Sequence, residues 1–158
     1  MSKMSPVEQA KIKLIMGDPV LWAKAFVVAM DPKTKKYGPW TARDYQAEIL
    51  RNRDLRKVYR MGRRLGKSEC MIIDGIWQAF THKNYRVLYI TPYDNQVELI
   101  FRRMRELINE SPLLKAEVVK MKSSPHTVEF RNGSVLLGFT TGASSNSGAA
   151  SVRGQRAD

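Results

Sequence analysis

The sequence predicts an α/β domain: a parallel sheet flanked by helices, incomplete toward its C-terminal side and preceded by an N-terminal helical cap. Three observations predict it. Gly62-Arg63-Arg64-Leu65-Gly66-Lys67-Ser68 is a glycine-punctuated loop between a short run of β-formers and an amphipathic stretch. Apolar residues at positions 72, 73, 76, 77 and 80, and again at 97, 100, 101, 104, 107 and 108, recur at helical spacing. Between and after these helices lie the apolar, β-branched and aromatic runs Tyr85–Thr91, Thr127–Arg131 and Ser134–Phe139. The order strand, loop, helix, strand, helix, strand is that of a parallel α/β core.

Taken in order, Ser5-Pro6-Val7-Glu8 is a capping box with proline at the first helical position, opening a helix to about Met16. Asp18-Pro19 opens a second helix, expected to run from Val20 to Met30. Together these form the cap, residues 1–39, which ends in a basic loop from Asp31 to Pro39. The remaining domain spans residues 40–158. Thr41-Ala42-Arg43-Asp44 is expected to cap a third helix through Leu50. Arg56-Lys57-Val58-Tyr59-Arg60-Met61 reads as a short strand leading into the glycine loop, and residues 68–80 as the helix that follows it. Tyr85–Thr91 is a strand closed by Pro92. Asp94 starts a long helix that ends near Ser111-Pro112. Val118–Met121 is a candidate edge strand, and Asn132-Gly133 joins a hairpin. From Thr141 to Ser151 the composition shifts to Gly, Ala, Ser and Asn, a loop.

Composition narrows the partners. With 27 Lys and Arg against 15 Asp and Glu, the net charge is +12 and the isoelectric point about 10.0. Hydrophobic residues make up 43% of the 158, enough for a core and against global disorder. The charge is clustered in Arg51, Arg53, Arg56, Lys57, Arg60, Arg63, Arg64 and Lys67, with a second group at Arg102, Arg103 and Arg105. Such clusters suit a polyanion. Nucleic acid comes before membrane because no long apolar segment is present. The alternative is a basic surface that only confers solubility. Cys70 is the only cysteine, which excludes an internal disulfide and a cysteine zinc cluster. The first residues lack the pattern of a secretory signal, so the chain reads as intracellular.

The chemistry concentrates in the loop. A phosphate-binding loop is Gly-x4-Gly-Lys-Ser/Thr, in which backbone N–H groups cradle phosphates, the lysine reaches the terminal oxygens and the hydroxyl ligates Mg²⁺. Here Met61 stands where the first glycine belongs and Gly62 follows it, while Gly66-Lys67-Ser68 is intact. A helix starting near Gly66 aims its positive end at the phosphates. The site therefore reads as one for ATP with Mg²⁺: Gly62, Arg63, Arg64, Leu65, Gly66, Lys67 and Ser68 around the triphosphate, with Ser68 on the metal. The alternative is a basic turn with a chance Gly-Lys-Ser. Gln46 precedes Gly62 by 16 residues, and an amide with one acceptor and two donor hydrogens can pair with adenine N6 and N7. Trp40 and Tyr45 are candidate faces for the base or else core residues. An arginine inside the loop, Arg63 before Arg64, is placed to stabilise charge on a transferring phosphoryl group. Thr91-Pro92 and its successors stand at the carboxyl end of a strand, where α/β ligands bind.

Taken together, these residues resemble the N-terminal ATPase domain of the large terminase subunit, the DNA-packaging motor of tailed phages. The match runs in order over roughly residues 40–158. It takes in Tyr45-Gln46, the Gly-Arg-Arg-Leu-Gly-Lys-Ser form of the loop, the strand ending Thr91-Pro92, Glu129-Phe130-Arg131-Asn132-Gly133-Ser134, and Arg153-Gly154-x-x-x-Asp158. The resemblance implies a P-loop NTPase sheet and ATP hydrolysis with Mg²⁺. It also implies a homo-oligomeric ring with the portal protein and the small terminase subunit as partners, double-stranded DNA as cargo, and work in the host cytoplasm at the procapsid portal vertex. It makes Lys67 and Ser68 the triphosphate and magnesium ligands, Arg63 the loop arginine, and Arg153 a candidate offered to the neighbouring subunit. The family's apolar strand ending Asp-Glu, with its catalytic glutamate, and its nuclease domain are not in this sequence. The expected assignment is thus the nucleotide-binding part of a motor, completed by the remainder of a large subunit, and hydrolysis by this chain alone is left open. A superfamily-two helicase shares the upstream Gln, the loop and Thr-Pro. A non-catalytic basic module that binds DNA is the rival from another class.

Overall fold

The computed structural model describes residues 4–141. Their contacts gather into two compact units, one up to Asp74 and one from Gly75.

The first unit begins with α1 (Pro6–Gly17), whose Ser5 side chain accepts from Glu8 N while Glu8 reaches back to Ser5 N, as the capping box requires. In α2 (Pro19–Phe26), Asp18 Oδ1 accepts from Val20 N and Leu21 N, and its other oxygen pairs with Arg51 at 2.9 Å. Burial opposes ionisation of Asp18, but those two backbone donors and the guanidinium outweigh it and lower its pKa. The second helix is shorter than its sequence suggests. It stops at Phe26, and β1 (Val28–Met30) pairs antiparallel with β2 (Tyr37–Pro39). Asp31 builds the turn between them, accepting from Lys33 N at 2.7 Å and Thr34 N at 3.0 Å. Pairing with Tyr37–Pro39 is a non-local gain that local helix propensity does not register, and it overrides the helix expected through Met30. Next comes α3 (Asp44–Arg51). Its cap differs from the expected Thr41: the Arg43 N–H donates to Gln46 Oε1 at 3.0 Å. Trp22, Ala23, Val27, Trp40, Leu50, Cys70, Ile72 and Ile73 are the buried apolar residues of this stretch.

The expected strand at 56–61 is absent. Residues 57–62 belong to no helix or strand, and Val58 is 96% exposed. β-branched and aromatic residues favour a strand only when a neighbouring strand supplies hydrogen bonds and a packing surface, and no described strand pairs with this segment.

Helix α4 (Lys67–Thr81) carries the chain from the first unit into the second. The second unit holds a four-stranded mixed sheet in the order β3-β6-β5-β4, from β3 (Arg86–Thr91), β4 (Val118–Ser123), β5 (His126–Phe130) and β6 (Val135–Thr140). Its parallel ladder, Arg86↔Val135 through Thr91↔Thr140, is the α/β element. The β4–β5–β6 meander adds antiparallel neighbours. Helix α5 (Asp94–Glu110) buries Val97, Phe101, Met104, Leu107 and Ile108, the face its apolar period marks. Phe101 meets Tyr89 of β3 edge to face at 5.8 Å. A short α6 (Pro112–Glu117) follows, with Leu114 buried.

The β5–β6 turn also closes α4. Asn132 Nδ2 donates to Ala79 O at 2.8 Å and His82 O at 2.8 Å, with Phe80 O at 3.2 Å. Ser134 Oγ donates to His82 O and accepts from Tyr85 N. The final carbonyls of a helix have no partner within it, and here a hairpin about fifty residues away supplies them. Among the described residues no helix is long and apolar enough to cross a membrane.

Candidate functional site

The loop 61–68 lies wholly in the first unit and is shaped by residues on both sides of it. Two of its residues adopt left-handed backbone: Arg64 at φ 63° and Gly66 at φ +76°. Gly66 is required on two grounds. Its φ disfavours any Cβ, and a Cβ built there would stand 2.5 Å from Gln46 Nε2. Its carbonyl accepts from Cys70 N at 3.0 Å, which starts α4. The first N–H groups of α4 therefore open toward the loop, as helix geometry dictates.

Around this frame the side chains are specific. Lys67 Nζ donates to Met61 O and Gly62 O, both at 2.9 Å, so its ammonium lies inside the curve of the loop. Tyr45 Oη donates to Leu65 O at 3.0 Å and accepts from Arg43 Nη1 at 3.0 Å. Gln46 is 7% exposed, with Oε1 taken by Arg43 N and its amide nitrogen against Gly66. Burial, and then the charges of Glu69 and Asp74, push the Cys70 thiol up to about 11. A thiol in that state is a packing residue and not a nucleophile.

The predicted residues thus divide. Tyr45, Gln46, Gly62, Arg63, Arg64, Leu65, Gly66, Lys67 and Ser68 are brought together within one unit. Gln46 faces the underside of the loop, and pairing with a base would require its amide to leave Arg43 and Gly66. Trp40 is buried in the core, the alternative role its sequence allowed. Arg63, Arg64 and Ser68 are exposed. Arg153 lies outside the described residues. Thr91 and Pro92 belong to the second unit, where Thr91 Oγ1 donates to Tyr93 O at 2.9 Å. Arg43 is the residue that sequence reasoning missed, and its only advance signal is its place two residues ahead of Tyr45.

Electrostatics favour an anion. Arg51 pairs with Asp18 and Arg53 with Asp74. Arg56, Arg60, Arg63 and Arg64 have no acidic partner among the described residues. Nor do the described residues contain a cluster of three His, Cys, Asp or Glu able to hold a metal. A helix start, an ammonium, a hydroxyl and a loop turned by a left-handed glycine are together suited to a chain of phosphates. They also suit a hard cation that keeps water and phosphate oxygens as most of its ligands.

No protein-family model matches this sequence, and no curated protein does. Among solved structures the chain is similar to the ATPase domain of the large terminase of Thermus phage P74-26. The TM-score is 0.56 at 20% identity, over 65% of this chain and 47% of that one. An arginine-to-alanine mutant of the same domain gives a TM-score of 0.54 at the same identity and coverage. The chain therefore spans about half the length of the structures it matches. At this identity the likeness is one of fold, and at that level the resemblance read from the ordered motifs holds: this is the mixed α/β fold of a terminase ATPase domain.

Proposed function

We propose that the loop from Met61 to Ser68 binds the triphosphate of ATP with Mg²⁺, and that the chain is the nucleotide-binding part of a viral DNA-packaging motor. The observation that carries this is the placement of Gly66-Lys67-Ser68. A left-handed glycine, with the Gln46 amide against it, hands over directly to the first turn of a 15-residue helix. The terminase-like fold supports the motor half of the reading.

In this reading Lys67 exchanges the carbonyls of Met61 and Gly62 for phosphate oxygens. The opening N–H groups of α4 bind the same oxygens, and Ser68 supplies a hydroxyl to Mg²⁺. The bound metal neutralises phosphate charge and polarises the terminal phosphoryl group. Arg63, exposed on the turn, is the cis candidate for the charge that develops in transfer, and Arg153 the candidate acting on a neighbouring subunit. The unpaired Arg56 and Arg60 add to a positive surface suited to the DNA backbone, so DNA binding should weaken steeply with salt. Double-stranded DNA, the portal protein, the small subunit and a ring of copies complete the proposed assembly at the portal vertex in the host cytoplasm.

The test of the motor is a packaging reaction reconstituted from procapsids, motor and DNA, read by nuclease protection of the packaged DNA. With Lys67→Ala in every motor subunit, protection should fall to background while the motor still assembles on the portal. Packaging at the wild-type level by that variant would refute the proposal.

A further inference from the structure

We infer that Tyr45 and Arg43 form a brace that sets the shape of the loop, so that Tyr45 acts on nucleotide through the loop backbone and not as a face for the base. The inference rests on the nucleotide reading above and assigns a role within it. Three observations carry it. The Tyr45 hydroxyl is held on both sides: it donates its hydrogen to Leu65 O and accepts from Arg43 Nη1, each at 3.0 Å. Leu65 is the single residue between the two left-handed positions, Arg64 at φ 63° and Gly66 at φ +76°, so its carbonyl is where one bond can hold both unusual conformations. The adjacent Gln46 holds the other flank, its amide nitrogen against Gly66.

A hydrogen bond accepted from a cation polarises the phenol and strengthens its own donation. Arg43 is therefore a positioning residue behind Tyr45. A left-handed arginine is an uncommon backbone state that persists only where the surroundings determine it. The hydroxyl–carbonyl bond at Leu65 is the contact that does so from outside the loop.

The test compares the intact wild-type chain with Tyr45→Phe, Arg43→Lys and Arg43→Ala, each with its fold checked by circular dichroism. Two probes are titrated with Mg²⁺: ATP, and inorganic tripolyphosphate, which has no base. Tyr45→Phe keeps the ring and loses only the hydroxyl. The brace predicts that it weakens both probes alike, by about fivefold, the worth of one net hydrogen bond. It also predicts faster tryptic cleavage after Arg63 and Arg64 without ligand, assigned by fragment mass. Arg43→Ala should behave the same way, and Arg43→Lys should recover part of the loss. Tyr45→Phe indistinguishable from wild type in binding and cleavage overturns the brace, and so does a loss confined to ATP, which would mark a base contact. If wild type binds neither probe, the nucleotide reading falls, and cleavage alone decides: faster in Tyr45→Phe upholds the brace, equal rates overturn it.

Discussion

The amide of Gln46 lies directly beneath Gly66, with 2.5 Å between Gln46 Nε2 and the place a Cβ on Gly66 would occupy. Gln46 Oε1 is meanwhile held by Arg43 N at 3.0 Å. One buried side chain therefore both closes the start of α3 and presses on the start of α4. Gln46 cannot yield to a side chain at Gly66 without losing the cap of its own helix.

Gly66→Ala meets two penalties, a left-handed φ and this contact. It should destabilise the first unit by about 1–3 kcal/mol and weaken Mg²⁺-ATP binding at least about tenfold, since the loop must shift. Adding Gln46→Ala removes the contact but not the backbone penalty. The double variant should then be less unstable than the sum of the two single changes, as read by urea denaturation. Strict additivity would show that the contact carries no energy.

Asn132→Ala removes the side-chain donor to the carbonyls of Ala79 and Phe80, while His82 O keeps the hydroxyl of Ser134. A loss of about 1–3 kcal/mol is expected from unpaired, partly buried acceptors, read as a lower denaturation midpoint for the second unit. Asn132→Asp should not rescue it, because a carboxylate has no hydrogen to give.

These two relationships show where sequence reasoning reaches and where it stops. The period at 97, 101, 104, 107 and 108 marks the buried face of α5 because one helix against one core needs no further information. Ser5 with Glu8, and Asp18, cap their helices as their spacing dictates. Asn132-Gly133 marks a hairpin, with Gly133 left-handed at φ +85°, but nothing local says that Asn132 also closes α4. Val58 and Tyr59 have strand propensity without a described partner strand, and Leu55 and Val58 are 102% and 96% exposed. Val28–Met30 read as helix and fold as a strand because Tyr37–Pro39 pairs with them. At the loop, Gly66-Lys67-Ser68 was legible as a motif. The placement of the Gln46 amide and the Tyr45 hydroxyl was not, because side-chain direction depends on how α3 packs. What decides in each case is the distance along the chain over which the partner lies.

His126 offers a pH dependence in the second unit. Burial, then the positive charge of Arg105, lower its pKa from the ordinary 6.5, against Glu98 and Asp94, which raise it. Its Nδ1 and Arg105 Nη1 are buried without hydrogen-bond partners among the described residues. Because the folded pKa lies below the unfolded one, the unfolded chain binds more protons beneath pH 6.5. Stability is then full above that value and is lost as pH falls through the folded pKa. Denaturant titrations from pH 8 to pH 5 (roughly the span in which histidine titrates) should show this loss in wild type and a smaller one in His126→Gln. Equal slopes would remove His126 as the source.

The central claim is that the loop holds a nucleotide triphosphate through Lys67, and calorimetric titration of the intact 158-residue chain with ATP tests it most directly. Wild type and Lys67→Ala are each measured with Mg²⁺ and with EDTA. One saturable site is predicted for wild type with Mg²⁺, weakened without the metal and lost in Lys67→Ala while the circular dichroism spectrum is unchanged. Equal affinity in wild type and Lys67→Ala, or no saturable binding by wild type, would contradict the account.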